Sequence, residues 1–147
     1  MERSLVLIKP DAVQRGLVGE VISRLENKGL KFVAMKMIHM DKSLAEKHYA
    51  IHKDKLFFKD LVSFIISSPI IAIVFQGDNA VKVIRRSMGE TNPVESASGT
   101  IRGDYAISIE HNLIHGSDST QNADKEINLF FSSEEILDYS RDIDRWI

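Results

Sequence analysis

The segment NLIHGSDS, residues 112–119, brings together side chains that perform nucleophilic chemistry in enzymes. His115 ends a short apolar run, and Gly116 and Ser117 follow it. A histidine is a nucleophile or a general base only while one ring nitrogen is unprotonated, and its ordinary pKa of about 6.5 allows this near neutral pH. An isolated histidine at a strand end is more often a hydrogen-bonded structural residue. The segment alone therefore leaves a reactive and a structural His115 open.

Two other kinds of site match parts of the sequence. Ser117 beside His115 supplies pieces of a serine hydrolase, but the G-x-S-x-G elbow is missing and a triad is not recognised by proximity in sequence. His48 and His52 lie four residues apart on a predicted helix, but the H-E-x-x-H motif of zinc enzymes is absent. Two exposed helix histidines are the better interpretation. The P-loop and G-x-G-x-x-G nucleotide motifs are also absent.

Three cations and a hydroxyl lie at predicted element ends or in loops. Lys9 ends the first strand, Arg85 lies late in a helix, and Thr91 and Arg102 follow that helix. Each alone is typical of a solvated surface. Together they form the parts of a phosphate cradle without a P-loop, with arginine forks and a lysine point charge holding the oxygens. The residues therefore indicate phosphate chemistry without identifying a substrate.

Alternating strands and helices must position these side chains. Strands are predicted at residues 5–8, 31–40, 70–75 and 112–115. Helices are predicted from Val18 to a stop at Gly29, from a Ser43/Glu46 capping box to His52, from Phe58 to before Pro69, and at residues 79–88. Residues 90–104 predict a long surface loop, and a Ser132/Glu135 capping box predicts a C-terminal helix.

The order strand–helix–strand–strand–helix–strand predicts an α/β (α+β) fold, a ferredoxin-like sandwich. Its four-stranded antiparallel sheet is expected to carry helices on one face, with further helices added. The mixed pattern of residues 31–40 predicts a strand covered on both faces. By pattern alone, Phe57 is expected in the core, Tyr49 is ambiguous between core and site, and Glu126 is a solvated helix residue.

Composition narrows the class of protein. The 147 residues, 44% of them hydrophobic, are enough for one domain covering residues 1–147. There is no cysteine, which excludes disulfides, thiolate metal sites and cysteine nucleophiles. A net charge of −2 provides no basic field for nucleic acid. With no secretory signal and no membrane-length apolar run, a cytoplasmic protein without membrane partners is expected.

Several segments closely resemble the nucleoside diphosphate kinase family. They are LVLIKPDAVQRGLVGEVISRLENKG near the start, HYAIHKDKLFF and RRSMGETNP in the middle, then TIRGDY, NLIHGSDS and EINLFF. The match covers essentially the whole chain in order and without large gaps. The resemblance implies a ping-pong reaction in which a nucleoside triphosphate gives its γ-phosphate to a histidine, and the histidine passes it to a different nucleoside diphosphate.

The resemblance also implies a role for each matching position. His115 would be the nucleophile, Glu126 the carboxylate on its other ring nitrogen, and Ser117 a helper hydrogen-bonded near that glutamate. Gly116 would leave room for the phosphate to approach. The positions that match phosphate contacts are Lys9, Tyr49, Arg85, Thr91 and Arg102. Those that match nucleoside contacts are Asn112 for the ribose 3′-hydroxyl, and Phe57 and Ile109 for the base.

Partners follow from the same resemblance. The substrates would be nucleoside di- and triphosphates of all bases. An aromatic side chain can stack on any base, because stacking does not depend on the hydrogen-bond donors and acceptors at the edge of the base. Mg²⁺ would bridge the phosphates and meet Asp118 through water. A homo-oligomer, tetramer or hexamer, is expected, although Ser98 departs from the family in a loop that makes subunit contacts. Leu56, Tyr105 and Gln121 depart at other positions without a matched catalytic role.

A rival hypothesis is a catalytically silent relative that acts as a binding or scaffold protein. Silent relatives would be expected to lose the histidine or its cradle, whereas here every matched position carries the family's residue type. The sequence therefore favours an active enzyme.

Overall fold

The computed structural model describes residues 1–147, which fold around a four-stranded antiparallel sheet. The strands are β1 (Glu2–Ile8), β2 (Lys31–Ile38), β3 (Ile70–Gly77) and β4 (Ile114–Gly116). They are ordered β2-β3-β1-β4, so β1 pairs with β3 on one side and with β4 on the other. This order confirms the predicted ferredoxin-like sandwich.

Seven α-helices connect and cover the strands. They are α1 (Pro10–Gln14), α2 (Val18–Asn27), α3 (Lys42–His48), α4 (Phe58–Ile65), α5 (Ala80–Met88), α6 (Ile101–Tyr105) and α7 (Thr120–Phe130). Short 3₁₀ turns lie at Ala50–His52, Pro93–Glu95, Ser133–Glu135 and Asp142–Trp146. No helix has the length and apolar composition needed to cross a membrane.

The two helices of the ferredoxin-like core, α2 and α5, lie on one face of the sheet as predicted, and added helices cover the other face. Val6 and Ile8 of β1 belong to a core cluster with residues of α2 and α5. Leu5 and Leu7 point to the other face, where a second cluster contains residues of α4 and α7. Both sets of β1 side chains are apolar because the strand is buried on both sides.

Four local predictions were wrong. Asp41, not Ser43, caps α3, because its side chain accepts a hydrogen bond from Leu44 N at 2.7 Å. The stretch 90–104 is not only loop: it includes a 3₁₀ turn and most of α6, whose Ile101 and Arg102 are buried. The Ser132/Glu135 capping box is present but opens only a 3₁₀ turn. The second half of β2 is open on one face, where Met35 and Met37 are exposed.

Glu126 was expected in a helix, but the bounds of α7 were not predicted, although their signals are present in the sequence. Ser119 caps it by accepting a hydrogen bond from Asn122 N at 3.1 Å. Ala123, Ile127 and Phe130 are buried at i, i+4 and i+7, the spacing of one helical face. This face packs α7 on the sheet and leaves Glu126 beside the end of β4.

Strand β4 is only three residues long and is held by close packing. His115 pairs with Leu7 of β1, and Gly116 pairs with Val6. A Cβ at Gly116 would lie 2.5 Å from Met88 Sδ and 3.0 Å from Ile84 Cγ2. The glycine is therefore required by helix α5 packing behind the strand, and the sequence alone did not indicate this requirement.

We expect Gly116→Ala to lower the free energy of unfolding by about 1–3 kcal/mol, because an added methyl overpacks this contact. Chemical denaturation of both proteins measures the difference. Gly19→Ala is the matched control, because a Cβ at Gly19 would have no other atom within 4 Å and Gly19 is inside α2, where alanine favours the helix. Equal stability of Gly116→Ala and the parent chain would contradict the packing argument.

Candidate active site

One cavity of about 940 Å³ opens between the α3–α4 region and the end of β4. Eleven of the twelve residues predicted for the site line it. They are Lys9, Tyr49, Phe57, Arg85, Thr91, Arg102, Ile109, Asn112, His115, Asp118 and Glu126. Residues that are far apart in sequence therefore converge on one space. Ser117 is the exception, since it is fully buried behind the cavity wall.

His115 and Glu126 form the closest ionisable pair in the cavity. His115 Nε2 lies 2.7 Å from Glu126 Oε2. Burial raises the pKa of Glu126, but the hydrogen bond and charge of His115 outweigh it and hold the carboxyl below its usual 4.5. An ionised Glu126 accepts the Nε2 proton, and this fixes the tautomer that leaves a lone pair on Nδ1. Because the ring is partly exposed on the cavity wall, Nδ1 is available to a reacting group.

His48 is a site residue that sequence reasoning missed, because it was interpreted as an exposed helix histidine. Its side chain is only 2% exposed, and its ring meets that of His115 edge to face with centroids 4.8 Å apart. Burial, with the nearby His115, lowers the pKa of His48 to about 3, so the ring is neutral. The signal in the sequence was Ala45, an apolar residue three positions before His48 and therefore on the same face of the helix. A neutral neighbour supports His115 without adding a second positive charge.

His48, His115 and Glu126 also resemble a metal-binding triad, since their ligand atoms lie within 4.8 Å of one another. Zinc bound at about 2.0–2.2 Å in a tetrahedral site holds adjacent ligands roughly 3.3–3.5 Å apart. The 2.7 Å contact between His115 and Glu126 is too short for two ligands of one ion and has the length of a charge-assisted hydrogen bond. The cluster is therefore a hydrogen-bonded pair with a packed ring and not a preformed metal centre.

Lys9 and Asn112 meet on the cavity wall. Lys9 Nζ donates to Asn112 Oδ1 at 2.8 Å, and Asn112 Nδ2 donates to Thr91 O at 2.9 Å. Burial and the charge of Arg102 lower the pKa of Lys9 from 10.5 to about 8, although Asp11 opposes the shift. An ammonium group in this position is short of counter-charge and is suited to an anion.

Arg102 is buried and tied to the main chain. Its Nε, Nη1 and Nη2 donate to the carbonyls of Asn112, Gly89 and Ile114 at 3.1, 3.2 and 2.6 Å. Burial, with the charge of Arg85, lowers the pKa of Arg102 to about 10. Three of the five N–H groups of the guanidinium are used, which leaves two for a ligand. Arg85 is more exposed and has one contact, to Gly116 O at 3.2 Å.

The opposite end of the cavity is apolar and open. Phe57 is 46% exposed and Ile109 is 51% exposed, so the prediction of Phe57 as a core residue was wrong. The Phe57 ring stands beside His52 with centroids 5.6 Å apart. Tyr49 lies deeper, where burial and then the charge of Glu126 raise its pKa to about 12. This end presents flat apolar surface, and the other end presents cations.

Ser117 and Asp118 differ in their surroundings. Ser117 Oγ accepts from Leu5 N at 3.2 Å and donates to Leu5 O. It also lies near enough to Glu126 to help hold the pKa of that carboxyl below its usual value. Glu126 Oε1 remains buried without a partner. Asp118 is exposed on the cavity wall, and its Oδ1 accepts from Asn122 Nδ2 at 2.6 Å. Its other oxygen is free to accept from water.

The chain is similar to known proteins along almost its whole length. The family profile described as nucleoside diphosphate kinase matches residues 2–136. The nucleoside diphosphate kinase of Listeria monocytogenes serotype 4a is 55% identical over 147 residues, 100% of both chains, and that of Archaeoglobus fulgidus is 54% identical over 100% of this chain and 97% of its own. The structure of the Halobacterium salinarum enzyme in complex with CDP is 50% identical, with a TM-score of 0.96 over 99% of this chain and 97% of that chain.

The lowered pKa of Lys9 gives a direct test of the cavity electrostatics. We expect the Lys9 ammonium of the unliganded protein to titrate near pH 8, because burial and Arg102 disfavour its charged form. NMR titration of protein labelled at the lysine side-chain carbons measures this, and Lys9→Met assigns the resonance. A midpoint near 10.5 would show that the ammonium is solvated and that the cavity is less confined than described.

Proposed function

The chain belongs to the nucleoside diphosphate kinase family, and on this premise we propose that His115 is the residue through which it transfers phosphate. The enzyme is a phosphotransferase whose substrates are nucleoside tri- and diphosphates. The observation that carries the proposal for His115 is its hydrogen bond to Glu126 at 2.7 Å, which leaves Nδ1 as the free nitrogen of a ring on the cavity wall.

The reaction has two balanced half-steps at one nitrogen. The Nδ1 lone pair attacks the γ-phosphorus, an N–P bond forms, and the bond from the γ-phosphorus to the bridging oxygen breaks with release of the nucleoside diphosphate. A β-phosphate oxygen of a second nucleoside diphosphate then attacks the same phosphorus, and the N–P bond breaks. Nε2 keeps its proton throughout and donates it in a hydrogen bond to the ionised Glu126, which stabilises the positive charge that the ring gains.

Cations on the cavity wall supply the electrostatic part of catalysis. Lys9, Arg85 and Arg102 line the same cavity as His115, and Tyr49 and Thr91 would add hydroxyl donors. Phosphoryl transfer depends mainly on in-line positioning and on stabilising charge on the transferring group. Each charge-assisted hydrogen bond contributes about 1.5–3 kcal/mol. The two N–H groups that Arg102 keeps free suit this role.

The nucleoside would occupy the open end of the cavity. Asn112 would hold the ribose 3′-hydroxyl, and Phe57 and Ile109 would hold the base between them. Phe57 and Ile109 are each about half exposed, which supports packing against the two faces of the base while its edges stay in solvent. Purines and pyrimidines would both be accepted, because stacking does not read hydrogen-bond donors and acceptors.

Mg²⁺ is proposed to enter with the phosphates. The exposed Asp118 fits an ion that keeps its water shell, because one of its carboxylate oxygens is free of protein hydrogen bonds. When bound, the ion neutralises charge on the phosphates. Ser117 would support this chemistry by helping to lower the pKa of Glu126 and by fixing β4 to Leu5 of the central strand, which holds the backbone that carries His115.

A homo-oligomer, tetramer or hexamer, is also proposed. Strand β2 is at the edge of the sheet and exposes Met35 and Met37, at 51% and 61%. An unpaired apolar edge strand is a surface that proteins usually cover. Native mass spectrometry should give four or six chain masses, and a single chain mass would contradict this proposal. The cytoplasmic location and the absence of nucleic-acid binding, inferred from composition, stay predictions.

The phosphoenzyme tests the proposed nucleophile. Incubation with γ-labelled ATP and no acceptor should give an acid-labile, base-stable label on His115, which any nucleoside diphosphate removes. His115→Ala should take up no label, because the substitution removes the ring nitrogen that forms the N–P bond. His111→Ala is the control, since His111 lines the same cavity but lies outside the hydrogen-bonded pair. Label and turnover in His115→Ala would make the assignment wrong.

Phe57 separates base binding from chemistry. Phe57→Ala should weaken nucleotide binding by about 1–3 kcal/mol, the value of one base–aromatic stack, while the labelled intermediate still forms. Calorimetric titration with a nucleoside diphosphate measures the loss. Leu56→Ala is a matched control on the neighbouring residue, which is fully exposed and does not line the cavity. Disappearance of the label in Phe57→Ala would mean that the ring does more than stack.

A further inference from the structure

The chain between Asn112 and β4 contains a strained turn. Leu113 has a left-handed backbone with φ of 75°, and Ile114 N donates to Asn112 O at 2.9 Å. A hydrogen bond between residues two apart around a positive φ defines a γ-turn of the rare, strained hand. Leucine has no preference for this region of backbone space. Such a conformation persists only where surrounding contacts hold it.

Asp11 and Lys9 hold the turn from its two sides. Leu113 N donates to Asp11 Oδ2 at 3.0 Å, and Lys9 N donates to Leu113 O at 2.9 Å. The other oxygen of Asp11, Oδ1, is buried without a hydrogen-bond partner. An unpaired buried carboxylate oxygen lowers stability, so stability alone does not explain an aspartate at this position.

The turn determines where the Asn112 amide points. Its Oδ1 accepts from Lys9 Nζ and its Nδ2 donates to Thr91 O, while its main-chain oxygen accepts from Arg102 Nε. Asn112 is therefore held by hydrogen bonds to three residues that line the cavity, and the γ-turn follows it directly in the main chain. If Leu113 left the γ-turn conformation, the Asn112 side-chain amide would change its orientation even though Lys9 and Thr91 were still present.

We propose that Asp11 is a positioning residue, which holds the γ-turn at Leu113 and thereby aims the Asn112 amide at the ribose 3′-hydroxyl of the bound nucleotide. This inference rests on the ribose contact proposed above for Asn112. Asp11 also stands near Lys9, and its charge favours the Lys9 ammonium. That second effect acts on the phosphates, which are common to nucleotides with and without the hydroxyl.

Selectivity for the 3′-hydroxyl isolates the positioning effect. It is measured as the ratio of the rate constants with which ADP and 3′-deoxyadenosine diphosphate discharge the phosphoenzyme. Effects of the Lys9 charge on the phosphates cancel in this ratio, because both nucleotides carry the same phosphates. Asp11→Ala should lower the ratio by about fivefold or more, the effect of losing one hydrogen bond in a confined site. Asp11→Asn, whose amide oxygen still accepts from Leu113 N, should stay within about twofold of the parent.

Two further variants provide the reference and the control. Asn112→Ala should lower the ratio at least as much as Asp11→Ala, and adding Asp11→Ala to it should produce no further loss. Gln14→Ala is the matched control, because it removes a hydrogen bond of α1 to Ser68 at 2.7 Å without touching the turn. Its ratio should equal that of the parent.

The outcomes separate the two levels of the proposal. If Asn112→Ala loses selectivity and Asp11→Ala keeps it, the positioning role of Asp11 is wrong and the ribose contact stands. If Asn112→Ala keeps selectivity, the ribose contact is wrong and the role of Asp11 falls with it. Should thermal melting show that Asp11→Ala is unfolded, Asp11→Glu replaces it, because the longer side chain displaces the acceptor and keeps the charge. The same loss of selectivity is expected.

Discussion

The hydrogen bond between His115 Nε2 and Glu126 Oε2 determines which nitrogen of the histidine can react. Its two halves come from the three-residue strand β4 and from α7, and both elements are fixed on the central strand β1. Leu5 and Leu7 of β1 pack in the cluster that contains residues of α7, and Leu7 also pairs with His115. The packing of β4 and α7 on β1 therefore sets the distance between His115 Nε2 and Glu126 Oε2.

The same cavity holds cations at a cost in stability. Burial lowers the pKa values of Lys9 and Arg102 to about 8 and about 10, which means that the unliganded protein disfavours their charges. Main-chain carbonyls offset part of this cost for Arg102, and Asn112 and Asp11 do so for Lys9. A bound polyphosphate would supply the remaining counter-charge. The strained turn at Leu113 also lowers the stability of the unliganded protein, and such strain is typical of places where a ligand is oriented.

The sequence predicted the sheet from the order of its strands and helices, and it predicted the membership of the cavity through the family resemblance. Apolar runs marked the strands and Gly29 marked the end of α2, and the matched segments along the whole chain identified the cavity residues. Long-range packing was less accessible. Burial of His48 depends on its contact with His115 and Phe130, and the need for Gly116 depends on Met88 behind it. The hydrogen bonds of Ser117 and Asp11 join residues more than 100 positions apart. No local pattern encodes such pairs.

The position of the phosphate on the His115 ring tests the proposed mechanism most directly. Phosphoenzyme prepared with a nucleoside triphosphate can be analysed by ³¹P and ¹⁵N NMR, which distinguishes the two phosphohistidine isomers. Because Glu126 holds Nε2, we predict phosphate on Nδ1 alone. Phosphate on Nε2 would mean that the contact with Glu126 breaks before the reaction, and it would contradict the role assigned here to that hydrogen bond.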